Sequence, residues 1–476
     1  MAEFILERLE KHNVKHIFGV NGDYINEFYD KVKQSTIVPV FNTDESHSGF
    51  AANAYARING MGCVAVNYQV GAYKLINSVA CAYVERSPLI IISGSSSTKD
   101  KRDNAQFEIF SKITRSAYLL DNPSLAGYLV DKAFDELNHY KQPVYLELPR
   151  DLMGKPINYD VYKLGTPKLP KTNQAYLEEA IKEVKAKLEV AKNPVIVAGV
   201  ELARYNLGAE LIRFVETCNI PIITDASSKS VINERHRLFV GMVEKNKEML
   251  NKSDCLIILG AISDAFSSFN KNVVMCNISE TRIDNHFYRD IQFQDFCSSL
   301  FKQNINKFET VEFSKPKCEF VPSNTKITSE RFVAKLNCFL NKNMVLVSES
   351  DAKLVLDVQM QTHNQFIGPA FYASTGFAIP GALAIQLAKS NVKPVVVTTT
   401  HSCRNTWAEL STCVLHKLSP IIFVLKTAKD TLCFSHVKEL FGAGTGVEVS
   451  NELELEEACN QAVSSKELFV ISVQKL

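Results

Sequence analysis

The residues best equipped for chemistry lie near the C-terminal end, in KPVVVTTTHSCRNTWAEL, Lys393 to Leu410. Pro394 to Val397 and the threonines that follow read as a short buried strand. The run turns polar at His401-Ser402-Cys403-Arg404-Asn405 and ends in a helix-like segment, TWAELSTCVLHK. In an α/β fold, a strand running into a turn and a helix aims that turn at the ligand crevice. His401 and Cys403 have the types of a base and its nucleophile, but side chains two apart on an extended turn do not meet, so plain surface residues are the simpler reading. Two acidic positions stand near the N-terminus. FGVNGDYINEFYDK puts Asp23 at a strand end, and FNTDESHSGFAANAYARINGMG puts Asp44-Glu45 just before a small-residue helix. Taken alone, a carboxylate there means no more than a helix cap.

The elements that must position these residues come from hydrophobic patterning. Apolar runs at 16–20, 37–40, 63–66, 89–93 and 144–148 alternate with helical stretches Ser46–Ile58, Tyr73–Val84 and Ser124–Asn138. That alternation predicts a parallel sheet covered on both faces. A middle segment opens with a charged helix, Ala175–Val190, and has strand-like runs at 195–199, 221–224, 255–260 and 273–278. It holds GVEL and GAISD but no G-x-G-x-x-G after a strand, so a structural role is the reading for it. The last segment has strands Met344–Ser348, Val395–Thr398 and Ile421–Leu425. Proline-bearing linkers at about 155–175 and 314–326 separate the segments. The expected domains are therefore 1–155, 176–312 and 327–476, each a doubly wound α/β sheet.

Composition limits the function classes. At 476 residues the chain exceeds one hydrophobic core. With 53 Lys and Arg against 52 Asp and Glu, the formal net charge is +1, which gives no broad attraction for nucleic acid or an anionic membrane. No apolar run reaches the length of a membrane span. The N-terminus, MAEFILERLEKH, is charged from its third residue and is not patterned as a secretory signal. The 12 cysteines form no C-x-x-C pair and sit mostly in apolar runs, so free thiols and a cytoplasmic location are expected.

The order of the motifs is more specific than any one of them. FG-x-x-GD, then E-x-x-x-x-x-A-A-x-A-Y-A-R-x-x-G, then V-G-x-x-x-x-x-N at Val70 to Asn77, then SPLIIISG at 87–94 resembles the pyrimidine-binding domain of thiamine-diphosphate-dependent enzymes. Within that family it looks most like the pyruvate and indolepyruvate decarboxylases, because of the GD and VG pairs. The resemblance implies three α/β domains arranged as in those decarboxylases, with the first domain pyrimidine-binding-like and the third diphosphate-binding-like. It implies a homodimer or homotetramer with a small-molecule ligand at the subunit interface. By resemblance, Glu45 contacts the aminopyrimidine ring and favours the tautomer that removes the thiazolium C2 proton. Asp23 matches an aspartate that handles substrate protons, and Val70-Gly71 matches a cofactor-contacting turn.

The chain also departs from the family pattern. The decarboxylases carry a His-His pair after the SPLIIISG-like strand, but SSSTKDKRDNAQFEIF at 95–110 has no histidine. Its Lys99, Lys101, Arg102 and Asp103 read as a solvated loop. In the family a GDG and a later NN hold Mg²⁺ and the cofactor's diphosphate. In the same register this chain has Thr399-Thr400-His401 and Lys426-Thr427, and Cys433 falls near the place of a catalytic glutamate. Neutral hydroxyls are poor Mg²⁺ ligands beside carboxylates, and a β-branched Thr399 fills space that glycine leaves open. No metal ligands are expected, and thiamine diphosphate binding is left open. Lys426, Lys429 and Arg404 are the cations that register places near a diphosphate. Three readings follow: a reassigned enzyme acting on a small 2-oxo acid or related carbonyl compound, a pseudoenzyme serving as scaffold or regulatory partner, and an ordinary Mg²⁺–thiamine diphosphate lyase.

Overall fold

The computed structural model describes residues 1–101, 103–157, 169–262, 266, 269, 272–309, 313, 319–349, 351–427, 429–430 and 432–474. Parts of both expected linkers, at 158–168 and 314–318, and Arg102 of the charged loop lie outside the described residues. The chain divides into two compact units. One comprises Met1–Leu169, Glu319–Val355 and Ile367–Leu476; the other comprises Pro170–Cys318 and Leu356–Phe366.

The first unit holds two sheets. One has the strand order Val38–Phe41, His16–Gly19, Gly62–Val66, Leu89–Ser95, Val144–Pro149, Ser116–Leu119. All its pairings are parallel, with Phe18 beside Val64 and Ile90 beside both Cys63 and Val144. Its central strands are buried on both faces and its two edge strands only in part, as an all-apolar run covered by helices on either side requires. The other sheet runs Phe366–Ile367, Met344–Ser348, Lys393–Thr399, Ile421–Leu425, Phe469–Val473, Thr445–Val449, with parallel pairing from Met344–Ser348 onward. Both are doubly wound α/β sheets, as the alternating pattern predicts.

A pair of small-residue helices joins these two sheets. Helix Glu45–Asn59 packs on helix Ala378–Ala388. Gly381 lets the backbones close: a Cβ there would lie 3.1 Å from the Phe377 ring and 3.4 Å from Ala54. Phe50 and Phe377 meet edge to face with centroids 5.9 Å apart. Arg57 donates to the Gly368 carbonyl at 2.8 Å, pinning the end of the first helix to the second sheet's loops.

The second unit has the order His286–Tyr288, Thr281–Ile283, Val273–Cys276, Cys255–Leu259, Pro194–Ala198, Ile222–Thr224, Phe239–Met242. Its core strands are parallel, and the first two strands of that order pair antiparallel. Segment 356–366 is held to it by a buried ion pair. Lys229 Nζ lies 2.8 Å from Glu234 Oε2, which also accepts the Met360 backbone N–H at 3.0 Å.

Three expectations need correction. Tyr73–Val84 is two helices, Val70–Lys74 and Ile76–Val84, interrupted at Leu75. The polar run after Thr399 is helix Thr400–Thr406 rather than a turn, because the Thr399 hydroxyl caps it by accepting the Ser402 N–H at 3.2 Å. Cys338 is disulfide-bonded rather than a free thiol. The other described cysteines are free, and Cys433 is the exposed one. Among the described residues no helix is long and apolar enough to cross a membrane.

Candidate functional site

The first wall of the candidate site is the start of helix Glu45–Asn59. Asp44 caps it, accepting the Ser46 N–H at 2.9 Å and the Ser46 hydroxyl at 2.7 Å. Glu45 follows as the first helical residue, with a side chain only 12% exposed. Its Oε2 lies 3.1 Å from Lys74 Nζ, and the same ammonium lies 2.7 Å from Asp44 Oδ2. Burial pushes the Asp44 carboxyl up, but the bonds from Lys74 and Ser46 outweigh it and hold it at about 2. The bonds to Asp44 and Glu45 raise the Lys74 ammonium above its ordinary value. Gly71 explains the VG pair: a Cβ there would sit 2.9 Å from Glu45 Oε1. Val70 beside it is 78% exposed. Gly22 of the GD pair serves a similar end, since a Cβ there would lie 2.7 Å from the Asn67 side chain, which accepts the Tyr24 N–H at 2.9 Å. Asp23 is exposed at that strand end.

The second wall lies at the carboxyl ends of strands Lys393–Thr399 and Ile421–Leu425. Asp351 Oδ2 accepts the Thr399 hydroxyl at 2.5 Å and the Ser402 hydroxyl at 2.9 Å. Asp430 Oδ2 accepts the Thr427 backbone N–H at 2.7 Å and the Thr427 hydroxyl at 3.0 Å. The Thr400 hydroxyl instead donates to the Leu425 carbonyl at 3.4 Å. The bonds from the Thr427 N–H and hydroxyl outweigh burial and hold the Asp430 carboxyl below its ordinary value. Lys426 is 8% exposed and points away, its Nζ 3.1 Å from Glu448 Oε1. Arg404, His401 and Lys429 are exposed. Cys403 is fully buried, and burial drives its thiol well above the ordinary value. Exposed His401 and buried Cys403 therefore do not form a nucleophile–base pair.

Two buried carboxylates brace this wall. Glu349 accepts N–H groups from Gly376, Phe377 and Ala378 at 3.1, 3.3 and 2.9 Å. Burial, with the Asp351 charge adding to it, lifts its carboxyl to about 7 against the pull of those N–H groups. Glu409 is 0% exposed and accepts from Asn42 Nδ2 at 2.9 Å and the Thr43 N–H at 2.7 Å, with His47 Nδ1 at 3.1 Å. His47 also reaches the Asn405 carbonyl at 3.0 Å, so the start of the Glu45 helix is tied to the helix that follows Thr399. No hydrogen bond or ion pair among the described residues joins Glu45 to Thr399, Thr400, Lys426 or Thr427. Among the described residues no three His, Cys, Asp or Glu side chains cluster as a metal ligand set.

Comparison with known proteins decides the family. Residues 1–114 match the thiamine pyrophosphate enzyme N-terminal TPP binding domain, 181–303 the central domain, and 352–428 the C-terminal TPP binding domain. The chain belongs to the thiamine pyrophosphate enzyme family. Among its relatives is a putative pyruvate decarboxylase of Schizosaccharomyces pombe, 26% identical with 91% of this chain and 83% of the relative covered. The indole-3-pyruvate decarboxylase of Azospirillum brasilense is 23% identical over 98% of this chain and 94% of its own length. Pyruvate decarboxylase isozyme 1 of Saccharomyces cerevisiae is 25% identical over 91% and 84%.

In this thiamine pyrophosphate family chain, Asp23, Glu45, Val70 and Gly71 fall inside the N-terminal TPP binding domain match. Thr399, Thr400, His401, Arg404, Lys426 and Thr427 fall inside the C-terminal one. Sequence reasoning missed Lys74, Asp351 and Asp430. Each is an ordinary charged residue far in sequence from the group it touches or outside any motif. The one available signal was a lysine four residues after Val70, next to the pair that the resemblance makes cofactor-contacting.

Proposed function

We propose that this chain keeps the frame of the thiamine pyrophosphate decarboxylases without magnesium–diphosphate chemistry. In this reading it acts as a non-catalytic scaffold or regulatory partner, assembling as a homodimer or homotetramer. The observation that carries the reading is the Asp430 carboxylate, which accepts both the N–H and the hydroxyl of Thr427. By sequence register Thr400 and Thr427 take the family's metal-ligand positions, and their hydroxyls are engaged within the chain, with the Leu425 carbonyl and the Asp430 carboxylate.

The residues present do not fit a metal-clamped diphosphate. Mg²⁺ asks for oxygen ligands in octahedral places, and hydroxyls replace the two side-chain ligands. A diphosphate brought to about 4 Å from Asp430 meets about 4 kcal/mol of repulsion per charge pair at an effective dielectric near 20. Asp351 adds a second carboxylate beside Thr399. Lys426, the cation best placed by register to offset this, is paired with Glu448.

One observation favours a second reading, a reassigned enzyme acting on a small 2-oxo acid or related carbonyl compound. Glu45 is kept, nearly buried, with Gly71 leaving room for its carboxylate. Calorimetry with thiamine diphosphate, with and without Mg²⁺, separates the readings. The expected result is no binding in either condition. Binding without metal that is lost in Lys426→Ala supports the reassigned enzyme. Binding that requires Mg²⁺ overturns both readings.

A further inference from the structure

We propose that Lys74 is a built-in counter-ion that closes Glu45 to an aminopyrimidine. This disagreement with the family's ligand lies on the opposite wall from the diphosphate positions and does not depend on them. Three contacts carry it. Lys74 Nζ bridges Asp44 Oδ2 and Glu45 Oε2, at 2.7 and 3.1 Å. The other Glu45 oxygen lies over Gly71, where even one added carbon would crowd it at 2.9 Å. Oε2 is thus paired by charge with the last residue of helix Val70–Lys74, and Oε1 lies over Gly71 near its start.

The bridge is also braced from the Asp44 side. Asp44 is fixed by the Ser46 N–H and hydroxyl, so it holds the ammonium in place instead of following it. A ring nitrogen and its neighbouring amino group approaching Glu45 must compete with a full positive charge already seated on two carboxylates. An arriving heterocycle must first displace an ammonium that a second carboxylate also holds before its own N–H can reach Glu45 Oε2. Lys74 is 49% exposed, so it can be replaced without opening a core cavity.

Lys74 is therefore a specificity-determining residue acting on Glu45, and its removal should reveal a latent heterocycle site. The test uses the full chain and thiamine, which carries the aminopyrimidine and no diphosphate. Failure of the diphosphate reading and failure of this one are then distinguishable. Calorimetry compares wild type, Lys74→Met, and Lys74→Met with Glu45→Gln. The expected result is thiamine affinity at least about tenfold higher in Lys74→Met, returning to the wild-type level in the double variant. Thermal melting of all three checks that they are folded. A wild type that binds thiamine as tightly as Lys74→Met overturns the proposal. So does a gain that survives Glu45→Gln, which would mean that the change in overall charge, and not the freed carboxylate, attracts the cation.

Discussion

Asp430 closes on Thr427, its Oδ2 taking both the backbone N–H, at 2.7 Å, and the side-chain hydroxyl, at 3.0 Å. A carboxylate of the chain itself thus takes up the Thr427 N–H and hydroxyl, and in the proposed reading it stands against an incoming anion. Replacing the charge while keeping the shape should relax that exclusion. Asp430→Asn is expected to bind inorganic pyrophosphate about tenfold more tightly than wild type in titration calorimetry. Equal binding would show that the carboxylate does not guard the loop.

The same pair has a pH signature. Its folded-state pKa lies below the ordinary 3.8, so its stabilisation is fully present above that value and is lost as pH falls through the folded pKa. Asp430→Asn should flatten the acid limb of the melting curve below about pH 4 and leave the neutral range unchanged.

Glu349 titrates with the opposite sense. Its folded pKa near 7 exceeds the ordinary 4.5, so between these values the folded chain holds a proton that the unfolded chain has released. Stability therefore falls as pH rises from about 4.5 to 7 and levels off beyond, by at most about 3 kcal/mol. Urea melts at pH 5 and pH 7.5 should show that loss in wild type and a smaller one in Glu349→Gln. An identical pH dependence in the two proteins would contradict it.

Glu409 concerns the joint between the two sheets of the first unit. Fully buried, it satisfies Asn42, Thr43 and His47, and its carboxyl stays below the ordinary value because those bonds outweigh burial. Glu409→Gln presents one donor where only acceptors are wanted, and should cost about 2 kcal/mol in the urea midpoint. A loss under about 0.5 kcal/mol would place the weight of the joint on the Phe50–Phe377 packing instead.

Gly71 should be equally specific. Gly71→Ala puts a methyl against Glu45 Oε1, the end of a flexible side chain that can give way, and is expected to cost less than about 1 kcal/mol. Pairing it with Glu45→Ala, which removes the crowded atom, should recover most of that loss.

Much of the fold was legible in the chain. Runs such as Cys63–Val66 and Ile421–Leu425 are apolar at every position because their strands are covered on both faces, and periodicity detects that directly. Short edge pieces were not legible. Thr281–Ile283 and His286–Tyr288 are three residues each, too brief to show an alternating pattern. The polar HSCRN run misled because Ser402 and Cys403 face the interior while His401 and Arg404 face solvent, a helical split that composition alone does not carry. At the site, motif order singles out Glu45 and both threonine positions by resemblance alone. Side-chain direction was beyond reach. Register makes the basic Lys426 a diphosphate candidate, yet its partner Glu448 lies on a strand 22 residues later. Glu45 and Lys74 are separated by a strand and a turn, and nothing in either local sequence announces that they meet.

The most direct measurement is a crystal structure of the full chain grown with saturating thiamine diphosphate and magnesium. The expected result is Asp430 still bonded to Thr427, with no metal between Thr400 and Thr427. A magnesium ion coordinated by the Thr400 and Thr427 hydroxyls, with the diphosphate beside it, would contradict the central claim.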